Sequence, residues 1–299
     1  MRSSKLGQYR RAAKVWVIIA TLGTGRPMPT LYVVATPIGN LEDISLRALR
    51  VLREVKLIAA EDTRRTRILA TTYDIKTPVT SYHERNKWTK LGYVLKCLED
   101  GDVALVADAG MPGVSDTGHE LVLAASERQI PVVPVPGASA VTAALAISGL
   151  DARRFTYLGF LPHRAGERRR MLESVATESG AVVVLESPHR LPASLGDILA
   201  VLGDRRLAVC RELTKVYEEV FRGKVSQAMA YFTEPKGEFT LVIEGKQARD
   251  KPEMTREVGD RLRQMHQAGM TAREAISRLS GETGLPKRQL YQAWLKLRR

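Results

Sequence analysis

Hydrophobic residues fall into two alternating textures along most of this chain. Short unbroken apolar runs occupy residues 31–35, 57–60, 103–107 and 131–135. Runs of that length predict strands covered on both faces. Between them, apolar residues recur every three or four positions, most clearly over 88–98 and 138–147. Ser45 stands before Leu46, Leu49, Leu52 and Val55, which reads as a helix cap followed by a helical stripe. Repeated strand–helix units predict a mainly parallel sheet with helices on both faces.

A second series follows Asp151, with strand patterns at 155–160, 181–185, 207–210, 216–221 and 238–243. The runs around Val216 and Phe239 have no long helical pattern between them, so this sheet is expected to be mixed. The stretch 149–154 is the expected boundary. Beyond Gly245 the texture changes again: residues 246–255 are polar and include Pro252, and three helical patterns follow without strands. Thr271-Ala-Arg-Glu274 predicts a capping box, in which hydroxyl and carboxylate satisfy free amides at a helix start. Gly281 and Gly284 mark a turn, and Pro286 suits the first position of the next helix. That helix displays Lys287, Arg288 and Tyr291, with Leu290, Trp294 and Leu297 inward. The expected division is an N-terminal extension (1–27), two α/β domains (28–150 and 151–246) and a helical, helix–turn–helix-like domain (247–299).

Composition narrows the class. The 299 residues are 44% hydrophobic and 26% charged, which excludes wholesale disorder and fibrous architectures. Cys97 and Cys210 lie far apart, with no spacing for a disulfide framework, zinc ribbon or iron–sulfur cluster. Five scattered histidines suggest no metal centre. No apolar run is long enough to span a bilayer, so a cytoplasmic protein is expected. In residues 1–27, Arg10-Arg11 and the apolar stretch from Val15 to Ala20 resemble the start of a signal peptide. Gly23 and Gly25 end that stretch quickly, and Met28 suits a natural start, so the extension is left out of the fold argument.

The net charge of +13 is unevenly placed: residues 1–27 carry +6 and residues 250–299 carry +5, leaving a nearly neutral body. Basic ends on a neutral body suit a polyanionic partner, with phosphate backbones the usual one. A helix–turn–helix with a basic second helix fits the same partner, although a helical hairpin packed on the body has the same pattern.

Three loops at strand ends differ from plain connectors, and ligands of open parallel sheets sit beyond such ends. They are Thr36-Pro37-Ile38-Gly39-Asn40, the stretch Asp108-Ala109-Gly110-Met111-Pro112-Gly113-Val114-Ser115-Asp116, and Pro136-Gly137-Ala138-Ser139-Ala140. Neither usual phosphate-binding glycine pattern is present. The loops offer Asp, Asn, Ser and backbone groups without Lys or Arg, which suits a cationic ligand with an adenosine moiety; S-adenosylmethionine fits that description. Glycine- and proline-rich loops are, however, more often simple turns.

Taken together, Thr36-Pro-Ile-Gly-Asn-Leu-Glu-Asp43, Ala60-Glu-Asp-Thr-Arg64, the run 108–118, Pro136-Gly-Ala-Ser139 and Glu186-Ser-Pro-His-Arg190 resemble the tetrapyrrole-methylase superfamily of S-adenosylmethionine-dependent methyltransferases. They are most similar to its branch that 2′-O-methylates a decoding-site cytidine of 16S rRNA. The resemblance runs from about Met28 to the C-terminus. It departs at Asp116-Thr117-Gly118, where relatives commonly have Asp-Pro-Gly. It implies two α/β domains with the cofactor in the cleft between them, a homodimer, and a small-subunit rRNA substrate. Cofactor contacts implied by it are Pro37, Ile38, Gly39, Asp108, Gly110, Met111, Gly113, Ser139 and Ala140, closed by Glu186, Glu212 and Thr240 from the second domain.

Other residues are weighed on their own chemistry. Asp108, at a strand end, suits a ribose or amino group, or a loop cap. Asp116 has the weaker case, because Ser115-Asp116-Thr117 is equally a helix N-cap sequence. A ribose hydroxyl needs a proton acceptor, and the candidates are Glu61, Asp62, His83, Glu84 and His189. The carboxylates are also suited to salt bridges with Arg64, Arg65 or Arg85; His83 or Glu84 is the reading adopted. Arg153, Arg154, Arg164, Arg168, Arg169 and Arg170 form the densest basic stretch of the body. Arg164 and Arg168–Arg170, with Arg64, Arg65, Arg190, Lys287 and Arg288, are the candidate RNA contacts; Arg168–Arg170 also suit a solvated helix face. A tetrapyrrole or diphthamide-pathway methylase and a non-catalytic nucleic-acid-binding regulator remain the alternatives.

Overall fold

A computed structural model describes residues 28–246, 254, 256–283 and 285–297. The expectations for residues 1–27, Pro252 and Gly284 lie outside the described residues. The first half is built on five parallel strands: β1 (Leu31–Val34), β2 (Leu57–Ala60), β3 (Val79–Ser81), β4 (Val103–Val106) and β5 (Val132–Val135). Their spatial order is β3-β2-β4-β1-β5. β2 and β4 are buried at every position, as their unbroken apolar runs require. Helices α1 (Leu46–Glu54) and α2 (Thr63–Thr72) cover one face around Val51, Leu52 and Leu69. Helices α3 (Lys87–Asp100) and α4 (His119–Glu127) cover the other around Val94, Leu98 and Leu121. Helix α5 (Ala140–Ile147) follows β5.

The Ser45 hydroxyl accepts the Ala48 amide at 3.1 Å and starts α1 as expected. The buried stripe is Ala48, Val51 and Leu52, however, and Leu46 is 86% exposed. The helix is rotated so that the shorter Ala48 lies against the sheet.

The second sheet contains β6 (Phe155–Phe160), β7 (Ala181–Glu186), β8 (Arg206–Arg211), β9 (Glu219–Lys224) and β10 (Phe239–Ile243), in the order β6-β7-β10-β8-β9. Only β6 and β7 run parallel; the remaining pairs are antiparallel, so the sheet is mixed as expected, although a short helix (Val225–Tyr231) does separate β9 from β10 and these two strands are not neighbours. β9 begins later than the apolar pattern suggests, because Val216 and Tyr217 stand exposed in the preceding turn. Helices α6 (Ala165–Ser174), α7 (Leu191–Leu202) and α8 (Val225–Tyr231) cover one face, over Leu161, Leu195, Val209 and Leu241. The opposite face meets the first half, where Val183, Ala208, Cys210 and Val242 pack against Ile38, Ala144 and Leu145.

Three C-terminal helices, α9 (Arg256–Gln267), α10 (Ala272–Thr283) and α11 (Lys287–Lys296), enclose their own core of Leu262, Leu279, Leu290 and Trp294. The capping box forms: the Thr271 amide donates to the Glu274 carboxylate at 3.1 Å, and the Glu274 amide to the Thr271 hydroxyl at 3.4 Å. Gly281 lies inside α10 rather than in the turn, and Pro286 sits just before α11 instead of at its first position. No described helix is long and apolar enough to cross a membrane.

Candidate functional site

The loops after β1 and β4 are locked to each other before either meets the second half. The Thr36 amide donates to the Gly110 carbonyl at 2.9 Å, and the Gly110 amide returns a bond to the Thr36 carbonyl at 3.0 Å. The Thr36 hydroxyl donates to the Ala107 carbonyl at 3.1 Å. Gly39 then nests against the turn after β8: a Cβ there would lie 2.5 Å from Lys215 Cγ and 2.8 Å from the Leu213 carbonyl. The adjoining Asn40 amide donates to the Thr214 hydroxyl at 2.9 Å. That turn holds Glu212 and Thr214 at φ of 51° and 65°, conformations that non-glycine residues adopt at a cost.

The loop after β4 is fixed from the other side. The Ser115 hydroxyl donates to the Tyr157 hydroxyl of β6 at 2.8 Å. Gly159 makes this approach possible: its φ is +65°, and a Cβ there would sit 2.8 Å from the Ser115 hydroxyl.

These contacts frame a cavity of about 600 Å³ between the two sheets. Ile38, Met111 and Val114 line it from one side; Tyr157, Leu185, Cys210 and Phe239 from the other. Asp108, Gly110, Ser139, Ala140, Glu186 and Thr240 line it as well. Ser139 occupies the N-cap of α5 but makes no capping bond, which leaves its hydroxyl available to the cavity. Pro37 and Gly39 line an adjoining cleft of about 300 Å³ that shares Ile38, Arg65 and Asp108 with the first. Gly113 and Glu212 line neither. The Glu212 carboxylate instead accepts the Glu238 amide at 2.8 Å and the Lys215 ammonium at 2.9 Å. Against the upward pull of burial, those two donors keep Glu212 below the usual carboxylate range. Glu186 is also committed, accepting the Ser187 amide at 2.8 Å and the Ser194 hydroxyl at 2.6 Å.

Around the mouth, Asp108 accepts the Asp62 amide at 2.9 Å and lies 3.7 Å from the Arg65 guanidinium. Its own amide donates to Glu61 at 3.3 Å, and burial raises the Glu61 carboxyl above its ordinary range. Asp62 pairs with Arg64 at 2.7 Å, and hydrogen bonds from Arg64 hold it down to about 2. Asp116 differs from all of these. It lines the cavity without a hydrogen bond or ion pair among the described residues. Burial first, then the neighbouring Glu61 and Asp108 carboxylates, push it up to about 7. The helix-cap reading of Asp116 does not hold, since α4 starts at His119 with Gly118 at its cap. The signal that favours a loop here is the glycine spacing at 110, 113 and 118, each with positive φ.

His83 and Glu84 line neither cavity. The His83 amide donates to Asn86 at 2.8 Å, and Glu84 pairs with Lys87 at 2.8 Å, which also pairs with Glu120. The arginines divide sharply. Arg168 is no surface contact: its guanidinium is 7% exposed, bonds Asp197 at 2.5 Å and donates to the Pro162 and His163 carbonyls. A charge so buried must be paired, and a phosphate cannot reach it. Arg190 is a strut as well, mostly buried, donating to the Leu161 and Pro162 carbonyls. Arg169 shares Asp197 from the outside at 2.7 Å, while Arg164 is exposed beside Glu167. Arg170, Lys287 and Arg288 are exposed, and Arg65 stands half-exposed where the two cavities meet.

The family pattern of tetrapyrrole (corrin/porphyrin) methylases matches residues 30–229. The chain belongs to that family. A Synechocystis sp. protein named ribosomal RNA small subunit methyltransferase I is 48% identical, over 90% of this chain and 99% of its own length. A Thermotoga maritima protein of the same name is 49% identical over 74% of this chain and its entire own length. The chain is a methyltransferase with the tetrapyrrole-methylase fold. Among solved structures, a diphthine synthase superposes with a TM-score of 0.59 at 16% identity, covering 73% of this chain and 90% of its own. A Thermus thermophilus uroporphyrin-III C-methyltransferase complexed with S-adenosylhomocysteine superposes with a TM-score of 0.55 at 20% identity, covering 72% and 97%.

Proposed function

We propose that this methyltransferase uses S-adenosylmethionine to 2′-O-methylate the ribose of a decoding-site cytidine in 16S rRNA, in the cytoplasm and as a homodimer. The observation that carries the reading is the 48% identity to a small-subunit rRNA methyltransferase across almost the whole of both chains. The cavity supports it. Its walls are largely apolar, with carboxylates, a free Ser139 hydroxyl and, among the described residues, Arg65 as the one cation. Such a lining suits an adenosyl group carrying a positive sulfonium and ammonium, and it opposes a polyphosphate.

In this reading Ile38, Asp108, Met111, Ser139, Ala140 and Thr240 hold the methyl donor, which supplies an electrophilic methyl. The protein's part is to place the acceptor hydroxyl in line and to exclude water. The adjoining 300 Å³ cleft, with Arg65 at the shared mouth, gives the acceptor nucleotide a way in. The RNA is held by the exposed Arg164, Arg169 and Arg170 and by Lys287 and Arg288 of the helical domain, with domain limits at 28–150, 151–246 and 247–299. Transfer of labelled methyl to unmethylated small ribosomal subunits, followed by nucleoside analysis, tests this reading. It predicts label in 2′-O-methylcytidine; label in a base, or in no RNA, overturns it.

A further inference from the structure

Methylation of a hydroxyl releases a proton, and neither His83 nor Glu84 stands at the cavity where that proton is lost. Four carboxylates line the cavity: Asp108, Asp116, Glu186 and Glu238. Three already have partners within the protein. Asp108 has the Asp62 amide and Arg65, Glu186 has Ser187 and Ser194, and Glu238 has Lys215 at 3.0 Å. Asp116 alone, half-buried at the cavity, has no donor among the described residues. Its position is nevertheless set, because the neighbouring Ser115 hydroxyl is tied to Tyr157 across the cavity. A carboxylate left without a donor, beside three that the protein has satisfied, is free to accept one from what enters the cavity.

We infer that Asp116 is the general base of the transfer, taking the proton of the acceptor ribose hydroxyl as its oxygen takes the methyl. The inference rests on the ribose-methylation reading above. In the balanced step the hydroxyl oxygen forms the new bond to carbon, and the carbon–sulfur pair stays on sulfur. The O–H pair stays on oxygen, and the proton passes to the Asp116 carboxylate. A sulfonium and a carboxylate thus become a neutral thioether and a neutral acid, so the charges that met in the cavity cancel.

The surroundings couple this base to the donor. Glu61 from the end of β2 and Asp108 from the end of β4 face Asp116 and favour its protonated form; Tyr157 faces it from β6, and Arg65 reaches Asp108 instead. Without ligand, the carboxyl is about half protonated near pH 7. A cation entering the cavity draws it to the ionised form, ready to accept a proton. Once the methyl has moved, that cation is gone and the carboxyl keeps the proton it received.

Calorimetric titration at pH 7 in buffers of different ionisation enthalpy reads this directly. Binding of S-adenosylmethionine releases about half a proton in the unaltered protein, and the neutral-sulfur product S-adenosylhomocysteine releases fewer. Asp116→Asn, which breaks no hydrogen bond, abolishes the release and keeps product binding. In single-turnover transfer to small subunits, Asp116→Asn is slower by roughly 100-fold or more, and Asp116→Glu recovers part of the rate with a shifted pH profile. Loss of product binding in Asp116→Asn overturns the inference, as does proton release or a pH profile that persists unchanged in that variant. Transfer undiminished in Asp116→Asn overturns the base assignment alone. An unaltered protein that releases the proton yet methylates no small-subunit RNA overturns the acceptor reading, and the base role with it.

Discussion

The two walls of the cavity come from different parts of their sheets. The first-half wall is made of loops, because parallel strands all end at one edge and gather their connections there. Those loops carry Asp108, Asp116 and Ser139. The second-half wall is mostly the strands themselves, with Tyr157, Cys210, Phe239 and Thr240 presented from β6, β8 and β10. A mixed sheet sends its strand ends both ways, so it offers a face rather than an edge. The unpaired Asp116 carboxylate and Ser139 hydroxyl thereby lie on the first wall, while the second supplies apolar surface and two carboxylates, Glu186 and Glu238, that already have partners.

Damage to the two walls should therefore be felt differently. The largest effect is expected behind the second wall. Arg168→Ala leaves Asp197 buried against Arg169 and should cost about 3–5 kcal/mol of stability, measured by urea unfolding; no residue lining the cavity is touched. Gly39→Val strikes the seam where the walls meet. Its side chain has no room beside Lys215 and the Leu213 carbonyl, so a loss of about 1–3 kcal/mol is expected, with weaker donor binding alongside the lower Tm.

Asp116→Asn should do the reverse and stabilise, by on the order of 2 kcal/mol at pH 8. The folded carboxyl titrates at about 7, above its ordinary 3.8. The native protein therefore loses stability as pH rises between those values, and the amide does not. Thermal unfolding at pH 4 should show a difference of well under about 1 kcal/mol, because the carboxyl is then protonated in the folded chain and close to half protonated in the unfolded one. Smallest in stability is the double change Lys287→Ala with Arg288→Ala. It should leave Tm unaltered, weaken RNA binding, and lower the log–log salt slope by about 2.

The sequence reveals most where burial is complete. β2 and β4 are legible because every position is apolar, and the Thr271 box because its bonds are local. β3 escapes notice, being a three-residue edge strand that is half-buried throughout. β9 is misplaced because Val216 and Tyr217 are apolar yet exposed, a choice no periodicity reveals. Arg168 reads as a surface charge because its partner, Asp197, lies on a different helix. The glycine- and proline-rich loops are legible as unlike plain connectors, and they line the cavity, but the rank of Asp116 among its carboxylates is not legible. Its significance comes from the lack of a partner and from carboxylates at two other strand ends, which only the fold brings together.

The central claim, that the cavity between the sheets holds the methyl donor against the Asp108 loop, is tested most directly by calorimetric titration of S-adenosylmethionine into the protein and into Asp108→Ala. One site per chain is predicted, weakened about tenfold or more by the substitution, a loss of at least about 1.4 kcal/mol. Binding of equal strength in both proteins, or none in either with small subunits present, would contradict it.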